Sequence, residues 1–195
     1  MYALVESGNI TKIFHNPKGF VLNGNQYSAD IFTKWSKSEK EAIGVYEVIY
    51  NNTNWKNPKW YNNTDQTFTY DASAKTVTAT YGTATAKAHA DVTTDGIVTP
   101  GLKTELIKKL KIEVKNNLAK TDWYVTRKSE KSTAIPNNIT THRDAVRTKQ
   151  AEMETAITNA ADTPALETLY TYVNTGTEES PVWERPLGEL PELES

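Results

Sequence analysis

The first hundred positions read as β, in short apolar or alternating runs separated by clusters of turn residues. Tyr2 to Glu6 and Ile10 to Phe14 flank Ser7-Gly8-Asn9, which predicts a hairpin. Phe20-Val21-Leu22 and Gln26-Tyr27 flank Asn23-Gly24, a pair suited to the positive φ angles of a tight turn, so a second hairpin follows. One helix interrupts the strands. Ser36 stands three residues before Glu39, the spacing of a capping box, and Gly44 is placed to end the helix in the left-handed region. Ile31, Phe32 and Trp35 precede the cap as anchors to the β layer. Val45 to Tyr50, Thr67 to Tyr70 and Thr76 to Tyr81 read as further strands, and Ala84 to Val92 as an edge strand. Asn51 to Asp65 is a long Asn-rich connection.

At Pro100-Gly101 the period lengthens towards 3.6. Leu102, Leu106, Leu110, Val114 and Leu118 recur every four residues beside Ile107, which predicts an amphipathic helix over Leu102 to Lys120. Its solvated face carries Lys108, Lys109, Lys111 and Lys115. Thr121 to Glu130 reads as a corner joining it to a second helix announced by Pro136, with Thr141 and Asp144 at cap spacing. Val146, Met153, Ile157 and Ala160 line one side of that helix. Thr163 before Pro164 predicts the cap of a third helix, whose apolar face is Leu166, Leu169, Tyr170 and Val173. From Gly176 on, three prolines among glutamates read as an extended acidic tail in which only Trp183 is expected to dock. The expected fold class is α+β: an antiparallel β-rich platform with one short helix over 1–99, a helical hairpin or small bundle over 100–175, and the tail over 176–195.

Composition narrows the function. With 195 residues, 37% hydrophobic and 10% aromatic, the chain can bury a core. No apolar run approaches the ~18 residues that span a bilayer, and Met1-Tyr2-Ala3-Leu4-Val5-Glu6 does not read as a secretion signal. The sequons at Asn9, Asn51, Asn62 and Asn138 are therefore expected to stay unused. A net charge of −2 supplies no general basic field for nucleic acid. The absence of cysteine removes disulfides, thiolate catalysis and cysteine–zinc sites.

Motifs for chemistry are sparse. His15, His89 and His142 lack metal-ligand spacing, and no phosphate loop or nucleophile elbow occurs. No enzyme activity, cofactor or metal is expected. Trp55, Trp60 and Tyr61 are candidate glycan-binding rings, against the alternative that they fold back as a lid over the β layer. The most distinctive segment is Thr121-Asp122-Trp123-Tyr124-Val125-Thr126-Arg127-Lys128-Ser129-Glu130. Here Trp123 and Val125 are expected to bury between helices, while Asp122, Arg127 and Glu130 remain available for polar pairing, with Arg143 and Arg147, one turn apart on the next helix, as partners for the carboxylates. The alternative is a partner-binding site.

That segment, followed by Ile135-Pro136 and Arg143-Asp144-Ala145-Val146-Arg147, resembles a C-terminal module of tailed-bacteriophage tail proteins. Met1 to Glu6, Ile31 to Ser36 and Ile43 to Tyr46 are similar to the openings of the same group. The middle, Asn51 to Thr99, carries no such motif. The resemblance implies a tail-fibre-associated protein that acts through protein–protein contacts, as an assembly chaperone or bound partner of the fibre. A structural tail or baseplate subunit is the alternative, and a carbohydrate-binding module a more distant one. It implies tail proteins as partners, with neither nucleic acid nor membrane, and a location in the virion tail or in the host cytoplasm during assembly. Trp123, Leu166, Leu169 and Tyr170 are the expected partner-binding residues, with Ile112 as a further outward apolar position.

Overall fold

The computed structural model describes residues 1–193 and is α+β. It divides into two compact units, Met1–Thr85 and Ala86–Ser195.

The first unit is built on β1 (Tyr2–Glu6), β2 (Asn9–Phe14), β3 (Phe20–Leu22), β4 (Asn25–Tyr27), α1 (Ile31–Lys34), α2 (Lys37–Ala42), β5 (Val45–Asn51), β6 (Tyr61–Asn62), β7 (Gln66–Asp71) and β8 (Thr76–Tyr81). Five strands form one sheet in the order β2-β1-β5-β8-β7, and its edge strands β2 and β7 approach each other, so the sheet curls into a half-barrel. In β1, Ala3, Leu4 and Val5 are all buried, because apolar layers cover both faces of the sheet there. On one face Leu4, Phe14 and Val45 pack with Phe20 and Leu22 of the β3–β4 hairpin and with Ile31 and Phe32 of α1. On the other, Ala3 and Val5 pack with Val48, Val77 and Ala79. β6 pairs with β9 (Thr85–Ala86), the two-residue strand on which this unit ends.

Both predicted hairpin turns form, with Ser7-Gly8 and Asn23-Gly24 at positive φ. The capping box is present: Ser36 accepts from the Glu39 N–H, and the Glu39 carboxylate accepts from the Ser36 N–H at 2.7 Å. Two details differ from expectation. Ile31 and Phe32 do not merely precede a helix but make a one-turn helix of their own. The sheet is also not wholly antiparallel, since β5 and β8 pair in parallel, Val48 opposite Val77. The chain leaves β5 through the 52–65 connection and runs β7 along the outer edge. The β7–β8 hairpin then turns it back into the same direction as β5.

The second unit carries β10 (Val92–Thr94), β11 (Ile97–Thr99), α3 (Leu102–Ala119), α4 (Asp122–Lys131), α5 (Asn137–Asn159), α6 (Thr163–Tyr170), β12 (Val173–Asn174) and β13 (Trp183–Glu184). Helices α3 and α5 pack along their lengths, burying Leu106, Leu110 and Val114 of one and Ile139, Val146, Met153 and Ile157 of the other. Where an edge strand was expected after Ala84, only β9 forms. A separate hairpin, β10–β11, follows it around Asp95-Gly96, both at positive φ. The base of this hairpin is tied to the start of α3. The Asp91 carboxylate accepts from the Gly101 N–H at 2.8 Å and from the Thr104 hydroxyl at 2.7 Å, and these bonds hold it below the usual aspartate range. Gly101 has no side chain with which to cap α3, and the first free N–H groups of the helix, those of Leu102 and Lys103, donate instead to the Ala88 and His89 carbonyls at 2.9 and 3.0 Å.

Further corrections concern boundaries. Thr121 to Glu130 is not an irregular corner but helix α4, ended by Ser132 in the left-handed region. Helix α5 starts directly after Pro136, ahead of the expected cap at Thr141. Asp162, rather than Thr163, caps α6, its carboxylate accepting from the Ala165 N–H at 2.8 Å. The segment after Gly176 is not a free extended tail. Its β13 pairs with β12, Leu187 is buried, the Leu187 N–H donates to the Leu169 carbonyl, and the Pro191 carbonyl accepts from Asn117. Trp183 lies in that hairpin but does not dock; it is 63% exposed.

Candidate protein-contact face on helix α4

Helix α4 is held at its first turn by one buried cation. Arg143, on α5, donates through Nη1 to the Leu118 carbonyl (2.9 Å), to the Thr121 hydroxyl (2.7 Å) and to the Asp122 carboxylate (2.9 Å). Thr121 is fully buried and Arg143 nearly so. This is the Asp122–Arg143 pair expected from the sequence. Arg147 is not a partner of α4; it pairs with Asp144 within its own helix.

Trp123 is not buried between helices. It is 57% exposed, and Val125 beside it is exposed as well. The reason for Trp123 is geometric: Thr121 occupies the buried position at the start of α4, and the residue two positions later lies about 200° round the helix, on the opposite side. Arg127, expected to be available for polar pairing, instead lays its guanidinium over two rings, 4.7 Å from the Trp123 centroid and 5.3 Å from that of Tyr124. The rings lie 5.5 Å apart, tilted by 46°. Residues three and four apart share a helix face, so Trp123, Tyr124 and Arg127 form one surface. Its W-Y-x-x-R spacing was visible in the sequence as a cation–π arrangement.

The other expected contact residues behave differently. Leu166 is completely buried and belongs to the core of the second unit, so it cannot anchor a partner. Leu169 and Tyr170 are half-covered, because the chain after Gly176 folds back there. Arg185 sits 5.4 Å above the Tyr170 ring and pairs with Glu189 at 2.5 Å, while the Tyr172 hydroxyl donates to that same carboxylate. Burial pushes the Tyr170 hydroxyl up to about 12. Ile112 is outward-facing, as expected, and 50% exposed.

The three aromatic residues of the 52–65 connection do not present one surface. Trp60 and Tyr61 are buried and only Trp55 is exposed. A sugar ring stacks on an aromatic face that water can reach, which leaves Trp55 alone of the glycan set. Asn63 clamps the loop by bonding both the N–H and the carbonyl of Lys56. Lys56 and Lys59 lie over the rings of Tyr61 and Trp60, at 4.5 and 4.4 Å.

His142 is buried and bonds Asn117 at 2.9 Å. Among the described residues no three His, Asp or Glu side chains gather into a group that could hold a metal ion. Among the described residues no helix is long and apolar enough to cross a membrane. The chain matches no protein-family model, no curated protein and no solved structure.

Proposed function

We propose that this chain is a tail-fibre-associated protein of a tailed bacteriophage, acting as an assembly chaperone or bound partner of the fibre through protein–protein contacts. The observation that carries the reading is the exposed Trp123 ring, with the half-buried Tyr124 and Arg127 packed beside it on α4. It lies within the stretch whose sequence resembles phage tail proteins. Tryptophan and arginine are the residue types that dominate binding energy at protein interfaces, and a helix pinned by Arg143 presents them with little ordering cost. Of the expected partner-binding residues Trp123 is kept, Arg127 joins it on α4, and the buried Leu166 drops out.

The test is co-purification of the tagged chain from infected cells, with identification of the bound protein. The wild-type chain is expected to retain a tail or fibre protein, and a Trp123→Ala, Arg127→Ala variant to lose it while staying folded. Retention by the variant would move the contact elsewhere, and recovery of no tail protein by the wild-type chain would end the proposal. Purified virions separate a chaperone from a structural subunit: the former is missing from them and the latter present at fixed stoichiometry.

A further inference from the structure

The outer face of α3 carries a second surface, unrelated to the first. Thr104, Lys108, Lys111 and Lys115 follow one another at four, three and four residues, the spacing that keeps side chains in line along one side of a helix. Ile107 and the half-exposed Ile112 flank this row, and the six residues together line a shallow groove. No carboxylate lines it. At 3.6 residues per turn Glu113 falls on the far side of the helix and acts instead on Tyr170, while Glu105 borders the row on its Ile112 side without lining the groove. None of the three lysines makes an ion pair among the described residues, although acidic residues outnumber basic ones in the chain.

We propose that this face of α3 docks an acidic amphipathic helix of a partner protein. Carboxylates at matching spacing would meet Lys108, Lys111 and Lys115, and apolar side chains would cover Ile107 and Ile112. Charge complementarity selects this occupant. A membrane surface or a nucleic-acid backbone calls for a wider basic field than three lysines on a chain of net charge −2. A single helix needs only a stripe along one side of α3, with its carboxylates over the lysine row and its apolar residues over the flanking isoleucines. The surface lies on a different helix from Trp123, so it does not depend on the tail-fibre reading.

The probe is a synthetic helical peptide of about fifteen residues, long enough to form several turns. It carries glutamates at i, i+4 and i+7 and leucines on either flank. The full chain is titrated with it and with a scrambled peptide of the same composition. Saturable binding that weakens with salt is expected for the patterned peptide only. A Lys108→Glu, Lys111→Glu, Lys115→Glu variant should bind it at least about tenfold more weakly, and should regain affinity for a peptide in which lysines replace the glutamates. All three substituted positions are exposed, so circular dichroism should be unchanged. Equal binding of the scrambled peptide would overturn the proposal, as would insensitivity to the charge reversal. So would a silent peptide, with or without binding to phosphatidylserine vesicles or duplex DNA.

Discussion

At the residue scale, a few positions carry constraints that their neighbours do not share. Gly44 has φ +78°, and a Cβ built there would sit 2.4 Å from the Val5 carbonyl oxygen, while the Gly44 carbonyl itself accepts from the Val5 N–H. Gly8 has a similar φ with open space around it. Gly44→Ala should therefore cost about 2–4 kcal/mol, backbone strain plus displacement of β1, and Gly8→Ala only about 1 kcal/mol. Urea denaturation of the two variants checks the difference. Arg143 offers a similar contrast. Arg143→Met removes three hydrogen bonds, though the Leu118 carbonyl keeps the Thr121 N–H and hydroxyl as donors, and should cost about 1–3 kcal/mol. Asp122→Asn removes only the carboxylate, which is 61% exposed, and should cost about 0–1 kcal/mol. If the two prove equally damaging, the ion pair rather than the buried hydrogen bonds secures α4.

At the element scale, α4 and the C-terminal strands reverse the roles assigned to them by pattern alone. Because Trp123 is exposed, Trp123→Ala should change stability by less than about 1 kcal/mol. A plug between helices would instead cost about 3–5 kcal/mol. Thermal melting distinguishes them. The fold-back after Gly176 gives α6 a pH signature. Tyr170 is raised to about 12 by burial, above the ordinary tyrosine value near 10. A raised folded value means that the native state holds the proton more tightly than the unfolded state does. The resulting stability is complete below pH ~10 and is lost as pH climbs from there through about 12. Tyr170→Phe should flatten that alkaline decline, as followed by denaturant midpoints between neutral pH and pH ~11. An unchanged slope would place the titrating group elsewhere.

At the scale of the whole molecule, the β10–β11 hairpin is the first place a protease should find. All six of its strand residues are exposed, including Val92, Ile97 and Val98, whereas its base is tied by Asp91 to α3. Limited proteolysis should cut first within 92–99 and next near 177–181, where exposed backbone carries few long-range ties. Cutting inside Leu102 to Leu118 before either would contradict the packing of α3 on α5. The compact units meet at Thr85 and Ala86 rather than at the change of period near Pro100. The hairpin between those points is β in conformation, yet its base is bonded to the first turn of α3 in the helical unit.

Much of the fold was readable from local patterns, because local physics decides it. The Asn23-Gly24 turn, the Ser36–Glu39 capping box, the left-handed Gly44 and the four-residue stripe of α3 each depend on side chains a few positions apart. The α+β class follows from them. Other features needed contacts distant in sequence. Nothing near Thr76 shows that β8 runs parallel to β5, since that depends on which edge of the sheet β7 takes. Nothing near Gly101 shows that the Ala88 and His89 carbonyls cap its helix. The segment 121–131 contains an aromatic pair that suits a core or a surface equally well, and Thr121, placed inward by Arg143 from another helix, turns Trp123 out. Leu166 and Leu169 lie on one apolar helix face. Only the returning chain, with Leu187 buried and Arg185 over Tyr170, decides how much of that face water can reach. Sequence determined the elements because their hydrogen bonds and periods are local. The tertiary structure decided what is exposed, because burial depends on every segment that comes back to cover it.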